Sequence, residues 1–315
     1  STLGTAAPKT NNCNLRTNGW ELSIGWRDRL KNGFGYSANL TLSDAKTIVT
    51  SYPSNATNTI GLNKYVEGRE VGEIWGLETI GIAKSENEMQ AHLLSLPNGG
   101  QDAIGSKWSA GDIMYRDLNG DGKISKSAGT LDDHGDLKVI GNSTPRYFFG
   151  IDLNADWKGF DIRLFFQGVM KRDFWGKDNF CGYLFGARGD KNMWHARGLV
   201  EHADYFRAEA IGVNGHTLPA NLDAYYPRPI FSEGGKNQEI QTRYLQDASY
   251  IRLKNFQLGY TFPAKWMKSM GLTKCLFPEK IFGLEHRCLL CLIRKQLVAV
   301  MVVMLIRYQA PGLLA

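Results

Sequence analysis

Between Tyr147 and Met170 apolar and polar positions alternate with a period of two. Tyr147, Phe149, Ile151, Leu153, Ala155 and Trp157 fall on one side, with Gly150, Asp152, Asn154 and Asp156 on the other. Lys158-Gly159 then supplies a tight turn, and the pattern resumes. Phe160, Ile162, Leu164 and Phe166 oppose Asp161, Arg163 and Gln167. The pattern predicts a hairpin with one apolar face. The run from Tyr147 to Trp157 matches the roughly 9 to 11 residues that a tilted strand needs to cross a bilayer. The aromatic residue at each end fits an interface girdle.

The same pattern recurs twice. Trp20, Leu22, Ile24 and Trp26 alternate with Glu21, Ser23, Gly25 and Arg27, a Lys31-Asn32-Gly33 turn follows, and Phe34, Tyr36, Ala38, Leu40 and Leu42 alternate with Gly35, Ser37, Asn39 and Thr41. Phe256, Leu258, Tyr260 and Phe262 alternate with Asn255, Gln257, Gly259 and Thr261, and the phase slips at Tyr250 to Leu253, which predicts a bulge or rim. Weaker strands are expected at Val71 to Ile82, Asp112 to Arg116 and Asp136 to Gly141. Stretches rich in Gly, Asn, Asp and Pro at Ser43 to Asn63, Ser85 to Trp108 and Phe174 to Arg243 read as long loops. Short turns at one end and long loops at the other predict an all-β, antiparallel transmembrane barrel, incomplete as given because so few strands leave unpaired edges.

Composition narrows this little, since charged residues make up 22% of the 315 and barrels alternate rather than run their apolar residues. The net charge of +6 is partly a property of the end of the chain. Residues up to Lys274 hold 32 bases against 29 acids, which argues against a nucleic-acid partner. Three of the five cysteines, Cys275, Cys288 and Cys291, also lie in the tail, so the body offers no disulfide framework. The chain starts at Ser1 with no charged and apolar leader, and is expected to begin within a longer protein.

One motif suggests a metal. Asp117, Asn119, Asp121, Lys123 (through its carbonyl) and Ser125 occupy positions one, three, five, seven and nine of a loop with Gly122 at position six, the arrangement that gathers oxygens around Ca2+. Ala128 stands at position twelve, and Asp132 or Asp133 is the expected replacement. The same Asn-Gly and Asp-Gly pairs also suit a plain turn. No catalytic constellation stands out: His195, His202 and His216, with Glu201, Asp204 and Glu209, lack zinc or triad spacing, so no enzyme is expected. The loop aromatics Trp175, Phe180, Tyr183, Trp194, Tyr205, Tyr225 and Tyr226 either stack on sugars or pack the loops together.

Six ordered blocks resemble a known family: Asn18 to Leu22, Gly68 to Gly72 with Ile74-Trp75-Gly76, Gly111 to Ile113 with Tyr115 and Asp117 to Ile124, Ile140 to Asn142 with Pro145, Leu245 to Ser249, and Ile251 to Asn255. They are similar to the SusC/RagA family of TonB-linked outer-membrane transporters of Bacteroidetes. Residues 1–274 correspond to the C-terminal part of that barrel, with long extracellular loops. The resemblance implies a barrel of about 22 strands with a plugged lumen. It also implies a SusD-like lipoprotein lid, a glycan or peptide cargo, and import powered by the TonB complex acting on a plug that lies upstream of this segment. The rival readings are a secreted calcium-stabilised carbohydrate-binding β-sandwich, whose strands would be about 5 to 6 residues long, and a glycan-cleaving enzyme, which needs two facing carboxylates.

The barrel reading places Trp20, Leu22, Ile24, Trp26, Phe149, Ile151, Leu153, Leu164 and Phe166 against lipid, and Glu21, Arg27, Asn39, Asp152, Asn154 and Arg163 toward the lumen. From Cys275 to Ala315 alternation stops and Leu297 to Ile306 form an unbroken apolar run, half of what a spanning helix needs. The reading frame shifted by one base can restore family residues here: Ser-Gly from Pro278-Glu279, Asp-Pro-Glu from Ile293-Arg294-Lys295 and Gly-Gly-Gly from Val298 to Val300. Residues 275–315 are therefore expected to be an out-of-frame tail.

Overall fold

The computed structural model describes residues 12–176, 203–213, 215–230 and 234–261, with the backbone of 272–279 and 290–293. In chain order the strands are β1 (Asn14–Arg29), β2 (Gly35–Ser51), β3 (Glu73–Gly76), β4 (Thr79–Ile82), β5 (Ile113–Tyr115), β6 (Lys138–Asn142), β7 (Arg146–Trp157), β8 (Phe160–Lys171), β9 (Asp173–Trp175), β10 (Ile211–Val213), β11 (His216–Leu218), β12 (Leu245–Asp247), β13 (Tyr250–Tyr260), β14 (Leu272–Glu279) and β15 (Leu290–Ile293). Among the described residues one α-helix, α1 (Glu86–Leu94), lies between β4 and β5. The chain divides into two compact units.

One unit comprises residues 20–44, 147–170 and 250 onward. It is a single sheet ordered β1-β2-β7-β8-β13-β14-β15. Its central strands pair antiparallel: Gly35↔Asp156 through Ser43↔Phe148 for β2 and β7, and Phe160↔Tyr260 through Val169↔Tyr250 for β8 and β13. Both hairpins read from the sequence are present. Leu30 and Phe34 close the first over the Lys31-Asn32-Gly33 turn. In the second, Lys158 and Gly159 both take positive φ, 46° and 92°, the type I′ geometry whose twist matches that of the flanking strands. The phase slip is also present. The β8 and β13 register shifts between Leu253 and Asn255, leaving Lys254 as the extra residue of a bulge. Five strands run 11 to 17 residues, too long for an ordinary sandwich. The backbones of β14 and β15 continue the sheet. Residues 280–289 and 294–315, most of the anomalous tail, lie outside the described residues.

The other unit, residues 1–19, 45–146 and 171–249, is built on a conventional core. Ile74, Leu77, Met89, Ile113, Tyr115 and Ile124 are essentially excluded from solvent and share one cluster. The three weaker strand expectations fall here, as short antiparallel pairs: β3 with β6, β4 with β5. All three expected loops contain regular structure, and within Phe174 to Arg243 this is the β10 and β11 pair. β2 continues to Ser51, since Val49, fully buried, pairs its backbone with Gly68 and Arg69 while polar Asp44 and Lys46 mask the alternation. Within Ser85 to Trp108, Ser85 caps α1 by accepting from Glu88 N at 3.2 Å, and Met89 turns its side chain into the core.

Candidate functional site

The long sheet has two chemically distinct faces, and strand register assigns residues to each. Paired residues of an antiparallel sheet share a face, so Tyr36, Ala38, Leu40 and Leu42 lie with Ala155, Leu153, Ile151 and Phe149. Ile162 and Leu164 likewise lie with Leu258 and Phe256. This apolar face is open rather than packed: Trp26 is 65% exposed, Phe160 55% and Ile24 54%. Exposed apolar area on this scale marks an interface with another apolar phase.

The opposite face is polar and laterally paired. Ser37, Asn39, Asn154 and Asp152 share it, as do Arg163 and Gln257 on the next strands. Arg163 donates to Asp152 through Nε at 3.0 Å and Nη2 at 2.5 Å. Arg29 of β1 reaches Asp156 of β7 through Nη2 at 2.7 Å, across the intervening β2. Gly35 makes that crossing possible, because a Cβ there would meet the Asp156 carboxylate and stand 2.8 Å from Arg29 Nη2. The pair fixes the parity of β1: Arg27 and Glu21 follow Arg29 onto the polar face, with Trp20, Leu22, Ile24 and Trp26 on the apolar one. Near the short turns Arg27, Arg29, Asn154, Asp156, Asp161 and Arg163 line a concavity of about 680 Å³. All fifteen residues assigned to one face or the other from the sequence sit on the expected side of the sheet.

The Asp117 loop is ordered by its own side chains. Asp117 accepts from Gly120 N at 2.6 Å and Gly122 N at 2.9 Å, Asn119 from Asp121 N at 2.9 Å, and Asp121 from Lys123 N at 3.1 Å. Asp136 closes the loop, a residue that sequence reasoning passed over. Its fully buried carboxylate accepts from Leu118 N and from Ser125 N, both at 2.8 Å. Burial, with the nearby Asp117 charge, pushes the Asp136 carboxyl above its ordinary value. Asp133 instead serves the neighbouring turn through Ala128 N. No three His, Cys, Asp or Glu side chains gather for a metal among the described residues. Every side-chain oxygen of Asp117, Asn119 and Asp121 already accepts a hydrogen bond within the loop, so a hard cation there would draw on second lone pairs of these oxygens and on the Lys123 carbonyl.

A second buried polar cluster had no local sequence signal. Asp112, fully buried, accepts from Arg228 at 2.9 and 3.0 Å and from Asn237 Nδ2 at 3.0 Å, and pairs with Lys236 Nζ at 2.8 Å. Lys236 also donates to the carbonyls of Ser106 and Lys107, and its ammonium lies 4.6 Å from the Trp108 ring. Burial opposes the Asp112 charge, but these donors more than offset it and hold the carboxyl below its ordinary value. Three chain segments are thereby locked together around one anion. Among the aromatics, Trp175 and Tyr226 are buried, and Tyr205 and Tyr225 pack on the same core, so these four bind the loops to one another. Phe180, Tyr183, Trp194, Glu201, His195 and His202 lie outside the described residues.

Comparison with known proteins follows the same lines. No protein-family profile matches the sequence. It is 26% identical over 268 residues, 82% of this chain, to TonB-dependent receptor P3 of Formosa agariphila, and 23% identical over 266 residues to TonB-dependent receptor P26 of the same organism. The chain spans about a quarter of the length of these curated relatives, 23% in each case. In structure it resembles the RagAB peptide transporter, with a TM-score of 0.56 over 88% of this chain and 26% of that one at 15% identity.

Proposed function

We propose that this chain, similar to TonB-dependent receptors over four fifths of its length and sharing its fold with a transporter barrel, forms part of the wall of an outer-membrane importer. The observation that carries the reading is the two-faced sheet. Its open apolar face suits lipid, and its laterally paired polar face suits a water-filled or plugged lumen. No described helix is long and apolar enough to cross a membrane, and strands of this length make the crossing instead. The named relatives are receptors and a transporter, and the chain takes no catalytic role.

The cargo in this reading is a peptide or glycan, too large for passive entry and captured beneath a SusD-like lipoprotein lid. Transport is powered by the TonB complex through parts of the protein beyond this chain. The Asp117 loop takes Ca2+ as a structural ion that stiffens the loop unit, a reading supported by its ligand spacing. Deletion of the complete gene tests the function. Growth on one class of oligomeric peptide or glycan is lost while growth on its monomers persists. A deletion strain that grows normally on every such oligomer contradicts the reading.

A further inference from the structure

Lys158 occupies a position that its turn disfavours. Its φ is 46°, in the left-handed region that a type I′ hairpin ordinarily fills with Asn, Asp or Gly. A lysine standing against backbone preference points to a role for its side chain. Lys158 is exposed, but its side chain folds back along the hairpin. Its ammonium lies 4.5 Å from the centre of the Trp157 ring. Trp157 follows Asp156 in β7, and Asp156 pairs with Gly35 on the polar face, so the indole belongs to the apolar side, where it is 44% exposed. Phe160, 55% exposed, and Tyr260 pack beside the same turn, their rings tilted by 47° with centroids 4.5 Å apart. The nearest acid of the strand, Asp156, is already paired with Arg29 on the other face.

We propose that Lys158 and Trp157 form a docking point for an anionic phospholipid headgroup at the short-turn end of the wall, with the ammonium on the phosphate and the indole at the acyl boundary. The inference rests on the membrane reading above. It deepens that reading by naming a lipid class and the residues that select it. An indole at the interface prefers the headgroup level, and a cation held over it stands where a lipid phosphate lies.

The test uses the complete protein in nanodiscs doped with equal amounts of photoactivatable phosphatidylglycerol or phosphatidylcholine, with crosslinks mapped to residues 156–162. Phosphatidylglycerol crosslinks about fivefold more there than phosphatidylcholine, the factor that one lysine supplies beside an anionic surface. Lys158→Asn, which suits the turn better, brings the ratio to one without lowering the melting temperature. Millimolar inorganic phosphate leaves the wild-type ratio intact. Equal crosslinking by the two lipids, or an unchanged ratio in Lys158→Asn, overturns the proposal while sparing the membrane reading. Loss of the ratio to inorganic phosphate overturns it in favour of a general anion site. Absence of any lipid crosslink at this turn sinks the membrane reading itself.

Discussion

Asp112 illustrates how a single side chain holds a unit together. Its charge is matched by the buried Lys236 and the partly exposed Arg228, so Asp112→Ala leaves a buried ammonium without its counter-charge and is expected to cost about 3 to 5 kcal/mol. The melting temperature of the complete protein reads this loss, and an unchanged value would show that the cluster is incidental. Because its carboxyl is held below the ordinary value, Asp112 contributes stability above the unfolded-state pKa and loses it as pH falls through the folded value. Asp136 behaves in the opposite sense: its raised value makes its contribution greatest at low pH and lost as pH rises through the folded value. A cation at Asp117 would offset that loss at neutral pH. Calcium is therefore expected to raise the melting temperature of the wild type but not of Asp121→Ala, and equal responses would remove calcium from the account. None of these partnerships was legible in the sequence, since Asp112 and Lys236 are far apart along the chain and Asp136 lies outside the loop it closes.

At the scale of elements, alternation carried most of what could be read. Both hairpins, their turns and the bulge at Lys254 follow from residue period and turn chemistry alone. What escaped had weaker or overridden signals. The extension of β2 to Ser51 is masked by Asp44 and Lys46, and α1 announces itself only by the Ser85 to Glu88 spacing of a capping box. The Arg29 to Asp156 pair is a property of three strands at once and depends on the empty side of Gly35. A double-mutant cycle between Arg29→Gln and Asp156→Asn should give a coupling below about 1 kcal/mol, as exposed pairs do. Gly35→Ala should reduce that coupling to nothing. Persistence of the coupling in the Gly35→Ala background would mean that the pair does not need the glycine.

For the molecule as a whole, the tail is the part that sequence periodicity sets apart. We propose a one-base frame slip near codons 274 and 275, and the nucleotide sequence decides it. The shifted frame should encode the restored blocks without a stop, and an early stop there would refute the slip. The central claim is that the sheet separates lipid from lumen, and neighbouring residues of one strand test it most directly. In the complete protein, reconstituted in bilayers, Cys placed at Leu153 or Ile151 should react with a lipid-soluble maleimide and resist a charged, water-soluble one. Cys placed at Asn154 or Asp152 should show the reverse. The account predicts that reactivity switches with each step along β7, and equal labelling of the two sets by both reagents would contradict it.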